Sequence, residues 1–135
     1  MGFLSGLRTA FSRQRAPGLN QDDPDLAVVA ACFDDAEAAS AALTRSSDFR
    51  PTDQAVLRHH LSLPADRVDE AAAIVAQDGY ALREVLPHDG AVVTVYALRV
   101  RVVDALECSR ERSRMASLAA RLGGRALGWD VLQSR

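Results

Sequence analysis

The chain contains no lysine: all sixteen of its basic residues are arginine. Without an amine side chain there is no Schiff-base chemistry, no lysine general base and no Walker lysine for a phosphate loop. Cysteine is nearly absent as well. Cys32 and Cys108 stand far apart in sequence, with no CxxC and no Cys/His spacing suited to zinc, so neither a disulfide framework nor a metal site is expected. Two free thiols fit a reducing cytoplasm. No run approaches the roughly 18 apolar residues of a membrane span, and the acidic QDDPD stretch before Leu26 argues against reading VAAC as a lipoprotein cleavage site. The net charge of −2 lacks the basic excess of a dedicated nucleic-acid binder.

What remains, 135 residues with 48% hydrophobic and 25% charged, has the balance of one domain with a sizeable core. The alanine-rich, arginine-only composition points to a GC-rich bacterial genome. Residues 1–16 place Phe3, Leu4, Leu7 and Phe11 at helical spacing opposite Arg8, Arg13 and Arg15. This basic amphipathic segment fits weak contact with an anionic membrane surface, or a frayed terminus, which is the preferred reading. With the Pro17–Pro24 linker, residues 1–23 form a flexible extension. Residues 24–135 are then a single domain with its core in 55–133.

For residues 24–43 two readings compete: one helix capped by Asp23 with Pro24 at its first position, or a strand over 26–33 followed by a short helix. Cap chemistry and the weak strand propensity of alanine favour the single helix. From residue 55 the pattern is clearer. Residues 55–63 alternate as a strand; 66–79 form a helix with Asp66 as cap and Val68, Ala71, Ala72 and Val75 buried; 80–86 are extended; and Pro87-His88-Asp89-Gly90 turns the chain into the long strand 91–103. A helix with Cys108, Met115, Leu118, Ala119 and Leu122 inward ends at Gly123-Gly124, and residues 125–133 make the last strand. The order β-α-β-β-α-β predicts an α+β, ferredoxin-like split βαβ fold: an antiparallel sheet with both helices on one face, preceded by an extra helix.

Strand 91–103 splits into a face of Val92, Thr94, Tyr96, Leu98, Val100 and Val102 and a face of Val93, Val95, Ala97, Arg99 and Arg101. The first suits a core. The second, carrying two guanidinium groups, suits an open face, where Arg58, His60, Arg99 and Arg101 would gather into a basic protein-binding patch, or be paired off by Glu84 and Asp130. His59, His60's neighbour, points the other way as a hydrogen-bonded core-edge histidine. The two cannot chelate one metal side by side. RNA-reading sheets stack bases on exposed aromatics, and Val93, Val95 and Ala97 offer none, so direct RNA binding is not expected. Ser62 shares a face with His60 but lacks an orienting acid, and no glycine-rich loop opens a helix. No catalytic site, cofactor site or metal site is therefore expected.

His59-His60-Leu61-Ser62 before a helix ending in Gly79-Tyr80, the Asp89-Gly90 turn, and Gly128-Trp129 on the final strand together resemble the regulator of ribonuclease activity B (RraB) family. The resemblance covers roughly residues 55–133. It implies a ferredoxin-like domain preceded by a helix, and a non-catalytic bacterial regulator of RNA degradation that inhibits ribonuclease E by binding it. Where that family commonly has an Asp before Gly-Trp, this chain has Leu127, and it lacks the acidic tail of better-known members.

Overall fold

The structure, a computed structural model, describes residues 18–85 and 90–135. The amphipathic segment 1–16, with its proposed membrane contact, and most of the turn at 87–90 lie outside the described residues. The elements are β1 (Ala27–Cys32), α1 (Ala39–Thr44), β2 (Gln54–Pro64), a 3-10 turn (Ala65–Arg67), α2 (Val68–Ala76), β3 (Ala81–Glu84), β4 (Val92–Val102), α3 (Ala105–Arg121) and β5 (Arg125–Gln133). They build a mixed α+β fold around one five-stranded sheet in the order β1-β5-β2-β4-β3, with every neighbouring pair antiparallel.

The single helix expected over 24–43 is not formed. Asp23 caps no helix; its side chain accepts the N–H of Asp25 in a local turn (2.9 Å). The chain then runs as β1 against β5, setting Ala30 opposite Val131 and Cys32 opposite Trp129. Covering the outer edge of β5 satisfies a row of backbone groups that would otherwise stand unpaired, and this outweighs the helix propensity of alanine. Only 39–44 is helical, with Ala39 and Ala42 buried. Likewise Asp66 does not cap α2, since it sits inside the 3-10 turn, although Asp69 and Glu70 occupy the first helical turn and Val68, Ala71 and Val75 are buried as expected. In α3, Asp104 is the cap, accepting the Glu107 N–H at 2.8 Å.

The two faces of β4 are the reverse of expectation. Val93, Val95 and Ala97 pack with Leu61, Leu63, Val75, Met115 and Leu118 under the helices, and a second group under α1 and α3 joins Leu57, Val103, Cys108, Trp129 and Val131. The opposite face carries Val56, Leu98 and Leu132, which are covered by Leu26 and flanked by Leu19 of the incoming segment. Each such side chain contributes about 2 kcal/mol when removed from water, enough to hold the segment 18–26 down over part of that face. An ion pair from Asp22 to Arg83 of β3 (3.0 Å) and a bond from the Leu19 N–H to Gln54 (3.3 Å) fix its path. No other described residues cover the remainder of the face, called the uncovered face below.

Candidate interaction surface and the histidine pair

The two motifs singled out in the sequence meet across β2 and β5, where His59 lies opposite Trp129 and His60 opposite Gly128. Because strand residues alternate, the pairs look to opposite sides. His59 and Trp129 are buried beneath the helices, while His60 and Gly128 belong to the uncovered face. Of the other motif residues, Leu61 is fully buried and Ser62, half-buried, shares His60's face.

On the uncovered face Arg58 grips Asp130 with two hydrogen bonds, Nε at 2.8 Å and Nη2 at 2.7 Å. His60 Nε2 stands 3.1 Å from the same carboxylate but makes no aligned hydrogen bond to it. Burial alone would raise the Asp130 carboxyl, yet its contacts with His60 and Arg58 hold it below the usual carboxylate range. Aromatic rings frame this charge pair. Phe33 meets His60 edge-on at 4.9 Å between centroids, His60 meets Tyr96 at 4.7 Å, and the Arg58 guanidinium lies 4.5 Å over the Tyr96 ring. Gly128 makes the arrangement possible, since a β-carbon there would collide with the Phe33 ring and come within 2.7 Å of the Cys32 carbonyl oxygen.

The expected basic patch is not assembled. Arg58 and His60 are on this face, but Arg99 and Arg101 are on the helix side, near the end of β4, where α3 supplies acids. Arg99 lies 3.4 Å from Glu111 and 3.9 Å from Glu107, donates to the Asp78 carbonyl at 2.8 Å, and stacks 4.4 Å over the Tyr80 ring. Arg101 reaches Glu107 at 3.3 Å. The guanidinium groups that argued for an open face are therefore paired with carboxylates of α3, Arg99 largely buried and Arg101 half exposed at the rim. Of the two carboxylates expected to neutralise the patch, Asp130 does so for Arg58.

The same network runs inward to His59. Tyr80 donates its hydroxyl to Glu111 at 2.8 Å and lies 3.3 Å from His59 Nε2. With that hydroxyl hydrogen committed to Glu111, His59 is the donor of the second bond, which assigns the proton to Nε2. Burial, and then the charges of Arg99 and His60, push the His59 pKa down to about 3, so the ring is neutral at pH 7. Burial and the Glu111 carboxylate raise the Tyr80 phenol, and burial lifts the Cys108 thiol to about 12, which makes it a poor nucleophile. The sequence reading missed Tyr80, Glu111 and Phe33. Glu111 on the inward side of an otherwise apolar helix stripe was the available signal.

Among the described residues five large hydrophobic side chains are well exposed: Val28 (52%), Phe33 (54%), Val92 (58%), Val102 (56%) and Leu106 (64%). Val92 and Val102 alternate with the buried face of β4, Val28 lies opposite Leu132, and Phe33 packs on His60, so the first four share the uncovered side of the sheet. Among the described residues no cluster of His, Cys, Asp and Glu could hold a metal ion, and no helix is long and apolar enough to cross a membrane. Neither protein-family models, nor curated proteins, nor solved structures provide a match to this chain.

Proposed function

We propose that the chain is a small, non-catalytic cytoplasmic regulator that binds another protein through the uncovered sheet face, and that β5-β2-β4-β3 with α2 and α3 form a ferredoxin-like unit extended by β1 and α1. The strand order, the antiparallel pairing and the two connecting helices support the fold reading. Two free, buried cysteines are compatible with a reducing compartment.

One observation carries the binding reading: of the five exposed large hydrophobics among the described residues, four lie on the same side of the sheet as a charge pair that is already neutralised internally. Scattered apolar residues need no explanation, but a shared face of this kind marks a contact surface. With the likeness of His59-His60-Leu61-Ser62 and Gly128-Trp129 to the ribonuclease-regulator family, a ribonuclease E-type nuclease is the partner to test first. The purified full chain is titrated against the host's ribonuclease E by calorimetry. Binding that Phe33→Asp and Val102→Asp each weaken at least tenfold supports the reading. No detectable binding removes this nuclease as the target, and binding untouched by both substitutions removes the face.

A second reading, stacking of single-stranded RNA, is favoured by the Phe33, His60 and Tyr96 rings, of which the reversal of the β4 faces adds Tyr96 to the uncovered side. It lacks a free cationic groove, because Arg58 is held by Asp130 and Arg99 and Arg101 lie on the other side. RNA affinity that falls steeply with salt and is lost in Tyr96→Ala would prefer it over protein binding.

A further inference from the structure

A cavity of about 370 Å³ opens on the helix side of the sheet, between α3 and the start of β5. Its position follows from the register: β1 covers β5 over residues 129–133, so among the described residues the stretch from Arg125 to Gly128 has no strand outside it. Opposite stand Ala116 and Ala120, exposed residues of α3 too short to fill the gap. Met115, Ala126 and Trp129 provide apolar wall, and His59 lies at its base.

Two polar groups at this cavity have no other employment. The Trp129 indole Nε1–H is buried without an acceptor among the described residues, an omission that usually costs about 1 to 3 kcal/mol and calls for a partner. Arg125, exposed at the mouth, makes no ion pair or side-chain hydrogen bond among the described residues, unlike Arg112 beside it, which is bound to the Glu37 and Asp34 carbonyls and to Cys32 Sγ. Asp35 also lies on the rim, and its carboxylate disfavours a multiply charged anion. Apolar walls, one free guanidinium, one unsatisfied N–H and a nearby acid together describe a ligand with a single negative charge and a short hydrocarbon body.

We propose that this cavity is a binding site for a small apolar monocarboxylate, its tail against Met115, Ala116 and Ala126 and its carboxylate paired with Arg125. The site is on the far side of the sheet from the proposed protein-binding face and does not depend on it.

Trp129 is the only tryptophan, so its emission reports the site directly in the full chain. Sodium hexanoate is expected to give a saturable change, about tenfold weaker in affinity in Arg125→Gln, as for loss of one charge-assisted bond. The double variant Ala116→Leu, Ala120→Leu, at exposed positions that leave the core intact, is expected to abolish the change by filling the space. Sodium phosphate is expected to give none. The proposal is overturned if hexanoate gives no saturable response, if hexan-1-ol binds as well as hexanoate, if phosphate competes, or if Arg125→Gln binds like the unaltered chain.

Discussion

His59 and His60 are adjacent in sequence and sit on opposite sides of one sheet, and the two sides handle charge differently. Beneath the helices, His59 is kept neutral and bonded to Tyr80, whose hydroxyl is anchored by Glu111, in turn neutralised by Arg99. On the other side His60 joins a compact Arg58–Asp130 pair ringed by Phe33 and Tyr96, at the margin of exposed apolar surface. The helix side spends its polar groups on internal order. The uncovered side settles its charges locally and leaves hydrophobic residues facing out.

The comparison breaks first at Glu111. Glu111→Ala takes the carboxylate acceptor from the Tyr80 hydroxyl, leaving it only His59, and removes the closest carboxylate from Arg99, whose side chain is only 11% exposed. A loss of about 3 kcal/mol is expected in urea unfolding, in the range for a buried ion pair deprived of one partner. An effect below about 1 kcal/mol would show that this network does not hold the helix side together.

Acid separates the two sides next. A folded-state pKa of about 3 for His59 against 6.5 unfolded means that the unfolded chain takes up the proton first. The stability His59 contributes is therefore complete above pH 6.5 and is lost as pH falls toward 3, at about 1.4 kcal/mol per pH unit. His59→Gln should flatten that slope between pH 6 and 4. Asp130 is also depressed, from 3.8, so its contribution is present above that value and disappears only at lower pH. Asp130→Asn should leave the slope between pH 6 and 4 unchanged while costing about 2 kcal/mol at pH 7, because Arg58 loses its partner at a site only partly exposed. If Asp130→Asn flattens the slope and His59→Gln does not, the assignment of the two windows is wrong.

A smaller effect sharpens the contrast. Arg101, half exposed and touching Glu107 at 3.3 Å, should tolerate Arg101→Ala with a change of about 0.5 kcal/mol or less in thermal unfolding. A loss comparable to that of Glu111→Ala would mean that the network extends to the rim of the sheet.

Strands and helices from residue 55 onward were readable because their periods of two and 3.6 are strong and breaks such as Pro64 and the Gly123-Gly124 pair separate them. Residues 125–133 form the last strand as expected. The reading failed where alternation met apolar residues on both sides. On β4 the row ending in Arg99 and Arg101 was assigned to water because charge must be solvated or paired, and their partners Glu107 and Glu111 sit on the following helix, whose placement over the strand local alternation does not give. That assignment also hid the aromatic side of the sheet, and with it Tyr96 as a surface residue. The opposed orientation of His59 and His60, by contrast, needed only the rule that neighbouring strand residues alternate.

By itself the sequence determined that a single β layer with helices would form, which residues share each strand face, and that no lysine is available for chemistry, since these follow from local periodicity and composition. Tertiary structure alone decided which face the helices cover, that residues 27–32 become an edge strand, and that a cavity remains beside Trp129. Those outcomes depend on which distant groups arrive to pair a guanidinium, close a backbone edge or leave a gap, and such meetings are not written in any local pattern.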